Sequence, residues 1–521
     1  MARIFIICFL MLSLTGYSQF GDGIQFNSEL SFGGYTMFEN FDRTYLIDNC
    51  GQVVNSWSVT NSQLHTKLTE DGNLMYIQQG VLFLRDWDDN IITTLAPGDG
   101  DILLVYEVIE LPNKNFLCLA RELFSDQDFE DIGYQFDPGE SANRIDSVVE
   151  LDRETGQVVW RWNLSDHVIQ QRDPSLPNYG IVKDNPQLLD MDAVRTVDWT
   201  FTESFMINGM DYNAELDQIV LSIRKLNEIA IIDHSTTTEE AAGSTGGKYG
   251  QGGDILYRWG NPLNYGQGSE DDHRLFFQHN PNWVQYGEHA GKIILFNNGL
   301  ARPGGNYSEG LIVETPVDSD GFYSRVDGEP FGPEEPSENY SEFSTNVGDL
   351  FSDYTSGAKV LPNGNIFITE GDEAILREFT PEGLLVWEYG VTNSFYIFRG
   401  VRYGSDYPGL AGRELIPNGT AESPPSTYDC NIFSSVEEVL TTTNIEVLQH
   451  GNSVIIKNPD RLSAKYGIYD LSGRQVLRNQ LDSEYTEISI QTLLSGLYTI
   501  QVTDLDTGQL LESARLNCLK N

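Results

Sequence analysis

The sequence predicts an all-β protein: a six-bladed β-propeller followed by a small C-terminal β-sandwich. Short apolar strands recur along the chain, their turns carry Asn-Gly and Asp-Gly pairs, and no long helical periodicity interrupts them. The composition agrees, because 49 glycines suit tight turns and 25 Tyr and 26 Phe favour strands.

The first recurring pattern is an apolar strand, a tight turn and a second apolar strand. It occurs at residues 68–77, 111–119 and 361–368, with Asp71-Gly72 and Asn363-Gly364 in two of the turns. Such pairs favour the positive φ values of tight hairpin turns. Each copy therefore predicts an antiparallel hairpin.

The second pattern is a turn followed by a strand that carries Trp or Tyr. It occurs at residues 49–57, 152–162, 253–259 and 382–389. Units of this kind in tandem are typical of four-stranded propeller blades, which avoid exposed sheet edges by circular repetition. A region of roughly 400 residues allows about six blades with long loops.

The chain is strongly acidic, with 32 Lys+Arg against 77 Asp+Glu and a formal net charge of −45. Phosphate groups would be repelled, so nucleic acid is excluded as a nonspecific partner. Hydrophobic residues make up 40% of the chain, which provides a core and distinguishes it from a disordered acidic segment.

The two ends predict export and a domain boundary. Residues 1–18 predict a signal peptide, with Arg3, an apolar run over 4–14, and the small Gly16 and Ser18 before the cut. The run is too short to span a bilayer, and no membrane span is expected after cleavage. Residues 19–416 are then the propeller, the polar residues 417–443 a linker, and the nearly neutral residues 444–521 the β-sandwich.

Four cysteines follow the signal peptide: Cys50, Cys118, Cys430 and Cys518. They form no CxxC pair, so no zinc site is predicted, and no other metal or cofactor is expected. An exported protein can hold disulfides. A bridge between Cys50 and Cys430 and a pair of free thiols both remain open.

Motifs in the C-terminal segment resemble a known sorting domain. Tyr-Asp-Leu-Ser-Gly-Arg at residues 469–474, Ser-Gly-Leu-Tyr at 495–498 and Lys520 are similar to the C-terminal sorting domain of the type IX secretion system of Bacteroidetes. The resemblance implies that the type IX secretion machinery is a partner. It also implies a secreted or cell-surface location, reached through the periplasm. An ordinary Ig-like accessory domain is the alternative.

Polar motifs in the larger region carry a second resemblance. They are Met206-Ile-Asn208, Asp233-His234, Gln278-His279-Asn280, Asn297-Asn298-Gly299 with Arg302, and Phe398-Arg399-Gly-Val-Arg402. Together they resemble the arylsulfotransferase family in its Bacteroidetes form, over roughly residues 40–415.

That resemblance implies an enzyme, an aryl-sulfate sulfotransferase. It would transfer a sulfuryl group from an aryl sulfate ester to a phenolic acceptor, without a nucleotide donor and through a sulfo-histidine intermediate. The chemistry is consistent with the motifs: a neutral imidazole can attack sulfur or take a phenolic proton, and a guanidinium fork matches sulfate oxygens.

The resemblance also assigns roles to residues. His279 and Arg302 are the predicted catalytic residues, and the predicted substrate-binding residues are Asn208, Asn280, His234, Arg399 and Arg402. For Arg302 and Arg399, structural ion pairing in so acidic a chain is an open alternative, and for His234 a strand-ending hydrogen bond.

The sequence departs from the family pattern at three positions. Met206 replaces a family histidine, Asn282 stands where many relatives have His, and residues 371–374 contain no histidine. The alternative function is therefore a catalytically inactive secreted propeller that binds an extracellular ligand or glycan.

Overall fold

The computed structural model divides the chain into two compact units, Met1–Cys430 and Asn431–Asn521. It describes residues 22–40, 43–59, 65–98, 100–137, 140–196, 205–340, 350–391, 394, 396–423, 425–428, 430, 445–450, 453–459, 461–470, 475–481, 483–491, 493, 496–505 and 510–518. The predicted signal peptide, residues 1–18, and residues 431–443 of the predicted linker lie outside these ranges. None of the described helices is long and apolar enough to cross a membrane.

The first unit is all-β, as predicted, and contains six antiparallel sheets of four or five strands. In order across each sheet, sheet 1 contains Val401–Gly404, Gly34–Asn40, Arg43–Asp48 and Val53–Trp57, and sheet 2 contains Lys67–Leu68, Leu74–Gln78, Val81–Arg85 and Ile91–Leu95. Sheet 3 contains Ile102–Glu110, Phe116–Leu123, Arg144–Leu151 and Val158–Asn163, and sheet 4 contains Ile207–Asn213, Gln218–Ile223, Glu228–Asp233 and Tyr257–Trp259. Sheet 5 contains His279–Trp283, Ile293–Asn297, Glu309–Val313 and Glu338–Tyr340, and sheet 6 contains Gly357–Val360, Ile366–Glu370, Ile375–Phe379, Leu385–Gly390 and Gly23–Asn27.

The remaining elements are short. A parallel pair joins Val168–Ile169 to Leu189–Asp190. The α-helices span Asp126–Asp131 and Thr238–Ala241, and each begins with a capping box, at Ser125 and Thr237 respectively. The 3₁₀ turns span Leu164–His167, Val182–Asp184, Ala193–Thr196, Arg224–Leu226, Pro262–Tyr265, Glu270–Asp272, Gly287–His289 and Pro408–Leu410.

The hairpins predicted from the first sequence pattern are confirmed. Leu68 pairs with Leu74 across the first turn, and Val360 pairs with Ile366 across the third. Gly72 and Gly364 have φ values of 76° and 88°, a backbone conformation that glycine adopts without strain. Each is the last residue of a three-residue loop, closed by hydrogen bonds between Thr69 and Asn73 and between Leu361 and Asn365.

Tryptophans of the second pattern connect neighbouring sheets. Trp57 of sheet 1 donates from Nε1 to the carbonyl of Asp86, which follows the third strand of sheet 2, at 2.9 Å. Trp387 of sheet 6 donates to the carbonyl of Asn49, which follows the third strand of sheet 1, also at 2.9 Å. Both indoles are fully buried, so one side chain fills the space between two sheets and satisfies a backbone carbonyl there.

The two ends of the first unit are hydrogen-bonded to each other. Val401–Gly404 pairs with the early strand Gly34–Asn40, and Gly23–Asn27 pairs with the late strand Leu385–Gly390. A disulfide joins Cys50 to Cys430 across a sequence separation of 380. Of the two possibilities that the sequence left open, the structure has the bridge.

The second unit contains two antiparallel sheets. One is made of Glu446–His450, Ser453–Lys457 and Tyr485–Ser489, and the other of Gln475–Gln480, Ala464–Asp470, Gly496–Asp504 and Leu510–Cys518. Val454 and Ile456 from the first sheet and Ile468 and Ile500 from the second are buried in one core. The motif residues 471–474 and Lys520 lie outside the described ranges.

Candidate functional site

A cavity of about 580 Å³ opens among strands that lie at one edge of their sheets. We call it the His279 cavity. Its lining combines polar and aromatic side chains: Tyr106, Met206, Asn208, Arg224, His279, Leu300, Asp353, Tyr354, Thr355, Tyr396 and Phe398. Two of the predicted site residues, His279 and Asn208, are therefore brought together.

His279 is the first residue of the edge strand of sheet 5 and is 4% exposed. Its Nδ1 lies 2.7 Å from Asn298 Oδ1. The Asn298 amide group donates from Nδ2 to the carbonyls of Ser352 and Thr355, so its Oδ1 must act as the acceptor. Nδ1 therefore carries the proton, and Nε2 has a free lone pair. Among the described residues Nε2 has no hydrogen-bond partner.

Burial lowers the pKa of His279 to about 3, and the nearby Arg224 guanidinium contributes in the same direction. The imidazole is therefore neutral at any pH at which the fold operates. A neutral, oriented imidazole with a free Nε2 can act as a nucleophile or as a proton acceptor.

The cation of this cavity is Arg224, which the sequence reasoning missed. Its guanidinium lies 4.5 Å from the centre of the Phe277 ring, and Nη1 lies 3.8 Å from Met206 Sδ. Within the described residues it forms no ion pair, so its charge is available to a ligand. The sequence does not show which residues of neighbouring strands pair with each other. In the structure Ile207 pairs with Ile223, and this register places Arg224 beside Met206.

Asn208 is held in the cavity wall by its amide group. Nδ2 donates to the carbonyl of Gln278 at 2.8 Å, and Oδ1 is buried with no partner in the described part of the chain. Met206 lines the same cavity, so the position at which the family resemblance leads one to expect a histidine does face the site.

Aromatic rings form the apolar wall. Tyr106 stacks on Phe398 with ring centres 5.9 Å apart, and Tyr354 lies 5.6 Å from Tyr396. Such rings can hold an aryl group by stacking and by edge contacts.

A pair of carboxyl groups lies beside the cavity. Asp353 lines it, and its backbone N–H donates to Asp372 Oδ2 at 2.6 Å. Burial raises the pKa of Asp372 to about 7, and the carboxyl group of Asp353 adds to this shift. A carboxyl group of this kind can exchange a proton near neutral pH.

Asn280 and Arg399 line a second cavity of about 300 Å³. The edge strands of all six sheets contribute to its lining, through residues that include Lys67, Ile109, Asp211, Asn282, Lys359 and Tyr403. Arg399 donates from Nη1 to Glu107 Oε2 at 2.7 Å, so the ion pair that the sequence left open is present.

The other three predicted residues line neither cavity. Arg302 pairs with Glu309 at 2.9 Å and lies over the Tyr307 ring. Arg402 is fully buried and pairs with Glu378 at 2.8 Å. In both cases a carboxylate already holds the guanidinium.

His234 is the third of these residues and lies between two carboxylates. Its Nδ1 is 2.7 Å from Asp217 and its Nε2 is 3.2 Å from Glu150. Burial disfavours the imidazolium, but the hydrogen bonds to these two carboxylates outweigh burial and raise the pKa of His234 to about 9. The charged ring therefore holds two sheets together.

Within the described residues, no three His, Cys, Asp or Glu side chains are grouped so that they could hold a metal ion.

Two family models match the chain. One, described as Arylsulfotransferase (ASST), matches residues 15–383, and the other, described as a secretion system C-terminal sorting domain, matches residues 450–511. Arg399 and Arg402 lie beyond the first match. The sorting domain is that of the type IX secretion system and indicates an exported or cell-surface protein.

No curated protein matches the chain. Among solved structures, a protein of unknown function from Bacteroides caccae is 9% identical, with a TM-score of 0.39, and covers 71% of this chain and 98% of its own. Virginiamycin B lyase from Staphylococcus aureus is 9% identical with a TM-score of 0.32, covering 71% and 89%. Hydrazine synthase from Kuenenia stuttgartiensis is 10% identical with a TM-score of 0.33, covering 72% and 80%.

Proposed function

Because the chain belongs to the arylsulfotransferase family, we propose that it transfers a sulfuryl group from an aryl sulfate ester to a phenol in the His279 cavity. One observation carries the proposal: a neutral His279 presents a free Nε2 to a cavity that also holds the unpaired Arg224 guanidinium. The aromatic wall of the same cavity suits an aryl donor.

The first half of the reaction forms a sulfo-histidine. The Nε2 lone pair attacks sulfur, the N–S bond forms, and the bond between sulfur and the aryl oxygen breaks with its electron pair on the phenolate. Arg224 faces the sulfate oxygens, where a guanidinium stabilises the charge of the transition state. Asn298 holds the Nδ1 proton and so directs Nε2 at sulfur.

The second half returns the imidazole to its starting state. The acceptor oxygen attacks sulfur, the N–S bond breaks, and the phenolic proton passes to a base. The Asp353–Asp372 pair supplies that base, because a carboxyl group with a pKa of about 7 is partly ionised at neutral pH.

We also propose that the six sheets are the blades of one six-bladed propeller. Support comes from the contribution of every sheet's edge strand to the second cavity and from the pairing of the first strands with the last. Residues 19–416 for the propeller, 417–443 for the linker and 444–521 for the tail remain the proposed boundaries.

The test is an assay with 4-nitrophenyl sulfate as the donor and phenol as the acceptor. The protein without its signal peptide is expected to release 4-nitrophenol and to form phenyl sulfate in equal amounts. His279→Ala is the control, because it removes the nucleophile and leaves Arg224 in place. Release by the wild type no faster than by this variant would end the proposal for aryl sulfate donors.

The second candidate is a secreted protein that binds a ligand in the same cavity without turnover. Met206 favours it, since the thioether of Met206 faces the cavity where the family resemblance leads one to expect an imidazole. The two functions are separated by measuring binding of 4-nitrophenyl sulfate together with its turnover. Saturable binding without release of 4-nitrophenol supports the binding protein.

A further inference from the structure

We propose that the second cavity is a separate binding site for a small organic monoanion, held by Lys359, Asn280 and Arg399. The inference goes beyond sulfuryl transfer, because Lys359, Asn280 and Arg399 do not line the His279 cavity. Edge strands from all six sheets contribute to the wall of this cavity.

Lys359 supplies the main positive charge. It lies on the edge strand of sheet 6, and its side chain is exposed although its neighbours Ala358 and Val360 are 1% and 5% exposed. Within the described residues it forms no hydrogen bond and no ion pair. Neighbouring protein nevertheless desolvates the ammonium in part, and this lowers its pKa. A partly desolvated ammonium that forms no ion pair attracts an anionic ligand.

Asn280 and Arg399 supply further donors. The amide group of Asn280 has no partner among the described residues, and the residue is 6% exposed. Arg399 uses Nη1 for Glu107, whereas its Nε and Nη2 are buried and find no acceptor in the described part of the chain. A Cβ added at Gly357 would lie 2.5 Å from Asn280 Oδ1 and 3.2 Å from Arg399 Cδ, so glycine at this position leaves room for both side chains.

The charged side chains considered around the cavity have one more positive charge than negative charges. Lys67 and Arg399 both pair with Glu107. Asp211 and, more weakly, Glu107 are the carboxylates that act on Lys359. Three cations therefore face two carboxylates, so a monoanion would neutralise the group.

Two other carboxylates in the lining are already neutralised from outside. Glu110 pairs with Arg153 at 2.6 Å, and Glu70 pairs with Lys114 at 2.5 Å. Glu110 and Glu70 therefore do not compete with a bound anion for Lys359. A small anion that stays near Lys359 is favoured over a larger one that would extend towards these two carboxylates.

The donors suit either a carboxylate or a sulfate monoester, since both present oxygens with one negative charge. The two sources are separated by using acetate and methyl sulfate as probes. Both carry the same charge, but one head group is planar and the other tetrahedral. Tighter binding of acetate points to a carboxylate ligand, and tighter binding of methyl sulfate to a sulfate ester.

The experiment is calorimetric titration of the protein without its signal peptide, with ionic strength held constant by sodium chloride. At least one probe is expected to bind saturably with one site per chain. Lys359→Met should weaken that binding at least tenfold. Lys292→Met is the matched control, because Lys292 pairs with the exposed Glu314 outside both cavities, and it should leave binding unchanged.

A second variant covers the case in which Lys359→Met does not fold. Asn280→Asp keeps the shape of the side chain, and its new carboxylate competes for Lys359, so binding should fall below detection. No saturable binding of either probe to the wild type, or equal affinity in all variants, would overturn the inference. The readout requires no turnover, so a protein without sulfotransferase activity can still pass this test.

Discussion

At the scale of single residues, the sequence pointed to His279 but not to Arg224, the cation that lines the same cavity. His279 and Asn208 stand in motifs, and both face one cavity. Arg302 also stands in a motif, yet Glu309 engages it outside that cavity. A sequence motif shows only which residue types occur. Whether Arg302 pairs with a carboxylate and whether Arg224 reaches the His279 cavity depend on the register between strands.

The protonation states of two histidines should differ sharply. The pKa of His279 is lowered to about 3 and that of His234 raised to about 9. Between pH 5 and 8, nuclear magnetic resonance of labelled histidine rings should show His279 neutral with its proton on Nδ1, and His234 doubly protonated. His279→Gln and His234→Gln assign the two signals. Titration of His279 near pH 6.5 would contradict the described environment.

Glu39 should make stability depend on pH. Burial raises its pKa from 4.5 to about 8, and Oε2 has no partner in the described part of the chain. The unfolded chain ionises this carboxyl group near pH 4.5, whereas the folded chain keeps it protonated up to about pH 8. The folded state therefore binds the extra proton, and stability falls as pH rises between these values.

The neutral variant Glu39→Gln tests this expectation. Its free energy of unfolding relative to wild type should rise from pH 4.5 to pH 8, by on the order of a few kcal/mol. Urea denaturation at several pH values measures the difference. A difference that stays constant with pH would show that Glu39 ionises normally.

At the scale of elements, the sequence predicted the hairpins well and the cavities poorly. Asp-Gly and Asn-Gly pairs fix local turns, so the hairpins at residues 68–74 and 360–366 were predictable. The cavities form where the edge strands of different sheets meet. Those contacts join residues hundreds of positions apart, and no local pattern encodes them.

The edge strand of sheet 5 depends on an unusual backbone at Asn280. Its φ is 55°, and the pairing register shifts between His279 and Asn282. Asparagine and glycine tolerate this conformation, and other residues are strained in it. Asn280→Gly should therefore be more stable than Asn280→Ala by about 1 kcal/mol, although both lose the amide group. Urea denaturation of the two variants measures this, and an alanine variant at least as stable as the glycine variant would refute the account of this strand.

At the scale of the whole molecule, the chain closes the first unit in two ways. The first strands pair with the last, and the disulfide joins Cys50 to Cys430. Sequence showed that the cysteines were available but not that they would meet, because pairing across 380 residues depends on the complete fold. The acidic excess belongs to the larger region, because residues 444–521 are nearly neutral. Two of the described cations that form no ion pair, Arg224 and Lys359, lie one in each cavity.

Reduction of the disulfide should destabilise the first unit. A bridge that closes so long a loop constrains the unfolded chain, and its loss is expected to cost about 2–5 kcal/mol. Thermal unfolding with and without dithiothreitol should show a lower melting temperature on reduction. The double variant Cys50→Ser/Cys430→Ser should melt at the lower temperature in both conditions. An unchanged melting temperature of the reduced wild type would mean that strand pairing alone closes the unit.

The proposed reaction is tested most directly by finding where 4-nitrophenyl sulfate leaves its sulfuryl group on the protein. The protein is incubated with 4-nitrophenyl sulfate and no acceptor, quenched at alkaline pH and digested for mass spectrometry. Our account predicts one added sulfuryl group, on the peptide that contains His279, and none in His279→Ala. A sulfuryl group on a different residue, or turnover with His279 unmodified, would contradict it.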